Sequence, residues 1–368
     1  MRLGNLIARG GVTILVALSG AVLAVGPAYS HSVADGRSAG DNTTACVRPF
    51  AVSRTSAVDA GGNVVANRAL AGYATAYTYA TGTGDEVREI VPPAGWSPLQ
   101  AADAELRAYG FPPRPVDARG RATWEKNMAG WKRAGNPEMC LTAVRAAVTN
   151  SATTGNWAGG MAVNGSATVS TFTNTDGRWS QPSFDSYCGF YGTGYAIWSG
   201  LGGWNSGRLI QSGVDNSGLA INGSEMFWEM LSPQHPNGEV RWTDVTVPAG
   251  HQVQSYVSYD ASGAFMWVAD LTTGVSHSVL MTSYQGQAAS GYYDGTTADF
   301  ITEAPSSGGI LPLTRVVGGQ TYYGYATVNG QPIANFWSWR IDQVRGDRVQ
   351  QSGFDGIHAW NDFWQNCT

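Results

Sequence analysis

The 368-residue sequence predicts an all-β sandwich of two antiparallel sheets, preceded by a partly helical N-terminal segment. Three observations lead there. From about Thr153 onward the chain is rich in Gly, Ser, Thr, Trp and Tyr, and apolar residues alternate with polar ones, the period of a half-buried strand. Turn-forming dipeptides interrupt that alternation roughly every ten residues. Beyond residue 150, almost nothing carries the spacing of a long amphipathic helix.

Residues 1–30 read as an export signal: Arg2 and Arg9 flank a basic start, GVTILVALSGAVLAV is an apolar run, and Ala28-Tyr29-Ser30 offers small residues for cleavage. The mature chain is expected to begin near His31 and to be secreted into the extracellular space. An apolar run of about 15 residues is short of the roughly twenty that span a bilayer, so no membrane partner is expected once the signal is removed. Residues 31–100 have weak periodicity and many Ala, Gly, Thr and Val residues, which predicts irregular structure. Next, LQAADAELRAYGF places Leu99, Ala102, Leu106 and Tyr109 on one helical face, and PPRP stops the helix. A second helix is predicted over RATWEKNMAGWKRAG, where Trp124, Met128 and Trp131 recur at helical spacing. Residues 31–150 therefore read as a partly helical propeptide and residues 151–368 as the β domain.

Within the β domain, SATVSTFTNTDGRWSQP predicts two strands about Asp176-Gly177. MFWEML, EVRWTDVTV, QVQSYVSYD, AFMWVADLTTG, SHSVLMTSY, ADFITEA, TYYGYATVNG and FWSWRIDQV each predict one strand. Four cysteines in an exported chain favour two disulfides, with three connectivities open. Pairing Cys46 with Cys140 and Cys188 with Cys367 closes one loop within each segment and is the expected arrangement. Charge divides the chain at the same boundary: residues 31–150 hold 13 basic and 11 acidic side chains, residues 151–368 hold seven and 16. A basic segment ahead of an acidic domain fits a zymogen held by charge attraction that weakens as carboxylates protonate. Its removal is expected within AAVTNSATTGN, between Cys140 and Trp157. An acidic domain without lysine is a poor partner for nucleic acid, and none is expected.

Serine or cysteine hydrolysis needs a nucleophile, a histidine and an orienting acid, and no GxSxG motif is present. His235 in SPQHPNG and His251 in PAGHQ have turn-like surroundings in which a solvated histidine is the ordinary expectation. No HExxH or paired-cysteine spacing occurs, so neither metal nor cofactor is expected. What remains are amides and carboxylates in strands: Gln211, Asp215, Glu225, Glu229, Asp270, Asp299 and Glu303. Side chains two apart on a strand share a face, so Glu225, Phe227 and Glu229 project together, and Ile301 projects with Glu303, a setting that desolvates the carboxylate. For any one of these residues alone, an exposed surface position is the default.

Taken together, these stretches resemble the eqolisins, a family of acid-active secreted glutamic peptidases. The likeness runs in order through GNWAGG with Trp157, AIWSGLGG with Trp198, LIQSGVD with Gln211 and Asp215, FWEM with Glu229, DLTTG, and ADFITE with Glu303. It covers roughly residues 153–345, and its specificity lies in the collinear order of six stretches. The resemblance implies a concanavalin-like sandwich of two curved antiparallel sheets with the site on the concave face. It implies a catalytic pair of Gln211 and Glu303, acting as an endopeptidase on protein or peptide substrates. Asp215 and Glu229 would support the pair, and Trp157 and Trp198 would line the cleft; a monomer is the expected assembly. This chain departs from the family at Gly202, where an Asp is common, and in its ending, SGFDGIHAWNDFWQNCT.

Two rival functions fit the same composition. A retaining glycoside hydrolase needs two carboxyl groups about 5 to 5.5 Å apart, for which Glu229 and Glu303 are available. A non-catalytic lectin would bind sugar through exposed aromatic residues such as Tyr292 and Tyr293.

Overall fold

A computed structural model describes residues 48–80, 86–116, 118–133, 137–141, 153–154, 156–163, 172–185, 188, 193–204, 208–216, 224–232, 235–236, 239–261, 263–284, 287–288, 293, 295–305, 311–318, 320–336, 338–345, 348–354, 360–364 and 367. The expected export signal, most of the expected cleavage stretch, Cys46 and Tyr292 lie outside them. Counting strands of three residues or more, the N-terminal segment supplies β1 (Arg48–Phe50), β2 (Val52–Val58), β3 (Val64–Ala66), β4 (Ala74–Ala80), β5 (Glu86–Val91), α1 (Asp103–Ala108), α2 (Ala118–Ala129) and β6 (Met139–Leu141). There follow β7 (Trp157–Val163), β8 (Asn174–Ser180), β9 (Ala196–Gly202), β10 (Leu209–Asp215), β11 (Ser224–Ser232), β12 (Val240–Val247), β13 (Gln252–Asp260), β14 (Gly263–Asp270) and β15 (Val275–Met281). The last are β16 (Thr297–Glu303), β17 (Gln320–Val328), β18 (Ser338–Arg345), β19 (Arg348–Phe354) and β20 (Trp360–Phe363).

These strands build an all-β sandwich. The first sheet runs β18-β7-β16-β9-β10-β11-β12-β6-β1, and every pairing in it is antiparallel. The second runs β20-β17-β8-β13-β14-β15-β5-β4-β2-β3, again antiparallel throughout. Between the sheets lies a core that includes Ile197, Leu201, Ile210, Val214, Trp228, Trp242, Val257, Met266 and Phe300. Buried hydroxyls pin one sheet to the other: Ser199 Oγ donates to Ser255 Oγ at 2.8 Å, and Ser255 Oγ donates to the Ser212 carbonyl at 2.7 Å. Such a satisfied polar column fixes which strands face each other, because a slip would leave its hydroxyls without partners.

The N-terminal segment corrects one expectation. Residues 48–91 form five strands rather than irregular structure, and together with β6 they continue both sheets of the sandwich, β6 and β1 beyond β12 and β5 beside β15. The two helices are present but shorter than their apolar patterns, and they bury Leu106, Trp124 and Met128 against Tyr256, Trp267 and Ala269 on the second sheet's outer face. Asp176-Gly177 is a second correction. It lies inside the single strand β8, because a side chain at 177 would come within 3.0 Å of Phe300 and 3.2 Å of Ser199 on the facing sheet. Cys188 and Cys367 are bonded as expected, with Cα atoms 5.4 Å apart, and Cys140 is also disulfide-bonded. The C-terminal stretch contributes β20, which pairs with β17. No described helix is long and apolar enough to cross a membrane.

Where the segment meets the sandwich, a buried Glu89 on β5 accepts from Trp242 Nε1 at 3.1 Å and lies 2.8 Å from His277 Nδ1. Asp244 is 3.2 Å from the other ring nitrogen, and Trp242 stacks on the imidazole at 5.3 Å. Burial disfavours the charged ring, yet the two carboxylates overcome that and push His277 up to about 9. This contact runs opposite to the expected charge clamp: the segment brings the carboxylate and the domain brings the cation.

Candidate active site

The first sheet's outer face, turned away from the inter-sheet core, carries Gln211, Glu303, Trp157, Trp198, Asp215 and Glu229 together with Glu225 and Asp299, whereas Asp270 lies at the end of β14 on the second sheet. Strand register arranges the first sheet's residues in three rows across β7, β16, β9, β10 and β11. One row reads Trp157, Glu303, Ala196, Asp215, Glu225; the next Gly159, Ile301, Trp198, Gly213, Phe227; the third Met161, Asp299, Gly200, Gln211, Glu229. Alternation along each strand puts these side chains on one side, and Trp157, Met161, Trp198, Phe227 and Ile301 form a separate apolar cluster there.

Gln211 and Glu303 lie on β10 and β16, with β9 between them. Their positions differ by two strand spacings, about 10 Å, and by four residues along β9, about 13 Å. Trp198 stands midway. Its Nε1 donates to Glu303 Oε2 at 2.8 Å, while its Cζ3 lies 3.1 Å from the point a Cβ on Gly200 would occupy. The indole therefore lies along β9 and reaches from the carboxylate toward the row of Gln211. Two glycines make room for it. A Cβ on Gly213 would stand 2.7 Å from Trp198 Cβ and 2.0 Å from the Ile197 carbonyl, and one on Gly200 would stand 2.8 Å from the Ile210 carbonyl. Trp157 meets Trp198 edge-on, ring centroids 4.8 Å apart.

The polar contacts are directional. Asn156 Nδ2 donates to Glu303 Oε1 at 3.1 Å, so both carboxylate oxygens of Glu303 are held. Gln211 Nε2 donates to Glu229 Oε2 at 2.5 Å. A carboxylate oxygen only accepts, so the amide nitrogen faces Glu229 and Oε1 turns away, where it has no partner among the described residues. Asp215 Oδ1 accepts from Arg241 Nη2 at 2.9 Å; Arg241 Nε donates to Glu239 at 2.5 Å, and Nη1 lies 3.6 Å from Glu225. Burial raises the carboxyl of Glu225, with Arg241 opposing and Asp215 reinforcing the rise. Burial also holds Asp299 well above the usual carboxylate range, opposed only by the Thr297 hydroxyl. Gln211 is 1% exposed and Glu303 5%, a dry setting that strengthens each of these interactions.

Sequence reasoning missed Arg241, Glu239 and Asn156. The signal for the first two was an Arg two residues from a Glu inside an otherwise apolar strand, EVRW, where burial demands pairing. His251 is not a free solvated side chain, since its Nδ1 lies 2.7 Å from Asp270 Oδ2. Tyr293 does not present a sugar-binding surface: it is 9% exposed and its hydroxyl donates to the Thr297 carbonyl at 2.6 Å. Glu229 and Glu303 are three strand spacings apart, about 14 Å, which rules them out as the close carboxyl pair of a retaining glycosidase. At Gly202 no side chain fits, because φ is 85° and a Cβ would stand 2.2 Å from the Arg208 carbonyl. A cleft of about 550 Å³ lies elsewhere, between α2 and the second sheet, lined by Lys126, Arg178 and Tyr325. Among the described residues its lining holds no carboxylate, and Arg178 is already paired with Asp176 at 2.9 Å.

No protein-family model and no curated protein matches the chain. Among solved structures it is similar to scytalido-glutamic peptidase with a peptide-based transition state analogue, at 17% identity over 57% of this chain and 98% of that one, TM-score 0.46. It is similar to SCP-B, a member of the Eqolisin family of peptidases in a complex with the tripeptide Ala-Ile-His, at 17% identity over 57% and 98%, TM-score 0.44. It is also similar to the enzymatically active domain of bacteriophage CBA120 tailspike protein 2, at 10% identity over 57% and 27%, TM-score 0.26.

Proposed function

We propose that the chain is the precursor of a secreted acid endopeptidase in which Glu303 transfers protons and Gln211 positions the attacking water and stabilises the oxyanion. The observation that supports this reading best is the gathering of Gln211, Glu303, Trp198, Trp157, Asp215 and Glu229, six residues spread over three collinear rows, on one face of one sheet.

Amide hydrolysis in acid needs a base for water, donors for the oxygen that becomes negative, and an acid for the departing amine. Glu303 suits the first and last tasks, since a carboxyl group can take a proton from water and later return it to the leaving nitrogen. Trp198 and Asn156 hold its two oxygens in place. Gln211 does not titrate: its Oε1 accepts from the water, and the second hydrogen of Nε2, the one not given to Glu229, donates to the substrate oxygen. Water attacks the peptide carbonyl as Glu303 takes its proton, and Glu303 then returns that proton to the nitrogen of the breaking C–N bond. The Trp198 indole stands between the two groups and each is held by other partners, so this reading requires Gln211 and Glu303 to swing toward each other over the indole to share one water when a peptide binds. Arg241 holds Asp215 at the margin of the site.

The burial of the pair supports an unprocessed state, and removal of residues 31–150 by cleavage between Cys140 and Trp157 is the maturation step that fits it. Incubating the purified chain with casein and with polysaccharides from acid to neutral pH tests the reading. Casein is cleaved in acid, polysaccharide is not, and Glu303→Gln abolishes cleavage. Gln211→Ala lowers turnover about 10²- to 10³-fold, the usual cost of losing one preorganised donor. Full proteolysis by Glu303→Gln would refute the assignment.

A further inference from the structure

The cleft between α2 and the second sheet is built around an arginine whose hydrogen-bonding capacity is mostly unused. Gly177 faces the other sheet, so its neighbour Arg178 projects to the outer side, where it lines the cleft. Arg178 is 6% exposed, yet only its Nη2 is engaged, donating to Asp176 Oδ2 at 2.9 Å; Nε and Nη1 have no partner among the described residues. The Tyr325 ring covers one face of the guanidinium, with Cζ 4.2 Å from the ring centroid, which fixes its plane and leaves its edges for hydrogen bonding. Asp176 is fully occupied, since its other oxygen accepts from Gln254 Nε2 at 2.8 Å. On α2 the exposed Lys126 lines the same cleft, and Asn127 Nδ2 is another buried donor without a partner among the described residues.

Buried donors are ordinarily satisfied, and a guanidinium with free edges in a cavity calls for an anion. We propose that this cleft binds the C-terminal carboxylate of a short peptide: Arg178 donates to the carboxylate, Lys126 adds positive charge, and the carboxamides of Asn127, Gln252, Gln331 and Asn335 hydrogen-bond the peptide groups behind it. Each carboxamide offers both a donor and an acceptor, the pair that a peptide group needs. The volume of about 550 Å³ lies within the range of small-ligand sites. A single negative charge fits best, because two cations stand against the one carboxylate of Asp176, which would repel the second charge of a phosphate. Since α2 and the sandwich both line the cleft, a bound peptide also holds the N-terminal segment in place by mass action. The cleft lies on the other sheet from Gln211 and Glu303, so it stands or falls independently of their assignment.

Isothermal titration calorimetry of the full chain at neutral pH with N-acetyl-dialanine, as the free acid and as its C-terminal amide, tests the proposal. The acid is expected to bind with a Kd of about 1 mM or tighter, and the amide about tenfold to a hundredfold more weakly, the range of hydrogen bonds to a charged group. Arg178→Gln is expected to abolish that preference. Because this variant also unpairs Asp176, Lys126→Glu at an exposed helix position is the second probe, expected to weaken the acid about twofold to fivefold and to leave the amide unchanged. Circular dichroism verifies that each variant is folded. Equal affinity for acid and amide, no binding of the acid, tighter binding of inorganic phosphate or of glucuronate than of the peptide acid, or an acid affinity unchanged in Lys126→Glu overturns the proposal.

Discussion

At Gln211 the chemistry is set by which end of a symmetric-looking amide faces a carboxylate. Replacing Glu229 with Gln removes that constraint, because an amide partner accepts either orientation. We expect Glu229→Gln to lower kcat roughly tenfold to a hundredfold, the range of a hydrogen bond to a charged group, with little change in KM. Steady-state kinetics on a peptide substrate checks it. Arg241 works differently. It is 1% exposed and serves Asp215 and Glu239 together, so Arg241→Ala leaves buried charge uncompensated and is expected to destabilise the fold by about 3 to 5 kcal/mol, read as a lower unfolding midpoint in urea. Gln211 and Glu303 were legible in the sequence because each sits in a short string of residues on its own strand. The roles of Arg241 at Asp215 and of Asn156 at Glu303 were not, since those partners lie 26 and 147 residues away in the chain.

At the level of strands, β9 and β10 are shaped by glycine as much as by their functional side chains. Gly213 lets the backbone of β10 pass directly beneath Trp198, and Gly213→Ala is expected to cost at least about 1 to 3 kcal/mol, the usual penalty of overpacking. Thermal denaturation measures it; an unchanged midpoint would mean that the tryptophan is not held as described. The same use of glycine misleads a reader of sequence at Asp176-Gly177, a turn signal by composition that here marks close approach of the two sheets. β2, β4 and β5 were illegible for another reason. They are covered partly by helices and partly by neighbouring strands, so burial does not alternate: β2 runs from exposed at one end to buried at the other, and periodicity carries no signal. Strands such as β13 and β16 were readable nearly to their ends, whereas β7, β9, β19 and β20 were not among the strands predicted.

Across the whole molecule, the N-terminal segment and the sandwich share two continuous sheets and an ion pair, which makes their association sensitive to pH in a definite sense. His277 has an ordinary value of 6.5 and is raised to about 9 in the fold, so its pairing with Glu89 and Asp244 contributes fully below about pH 6.5 and is lost as pH rises through 9. The contribution is on the order of 3 kcal/mol at most. Asp299 acts in the same direction: its ordinary value is 3.8 and burial raises it, so keeping it in the fold becomes less favourable as pH climbs above about 4. The unfolding temperature is therefore expected to be higher near pH 5 than near pH 9, and Glu89→Ala is expected to flatten the upper part of that profile. A profile that rises toward alkali would contradict both assignments. Function, in turn, hangs on whether one carboxylate does the proton transfer beside an amide that cannot titrate. The deciding measurement is the rate of casein hydrolysis at about pH 4 by the matured wild-type protein and by its Glu303→Gln variant, each verified as folded by circular dichroism. Cleavage by the wild type and none by the variant is the predicted result; equal cleavage by both, or none by either after maturation, would contradict it.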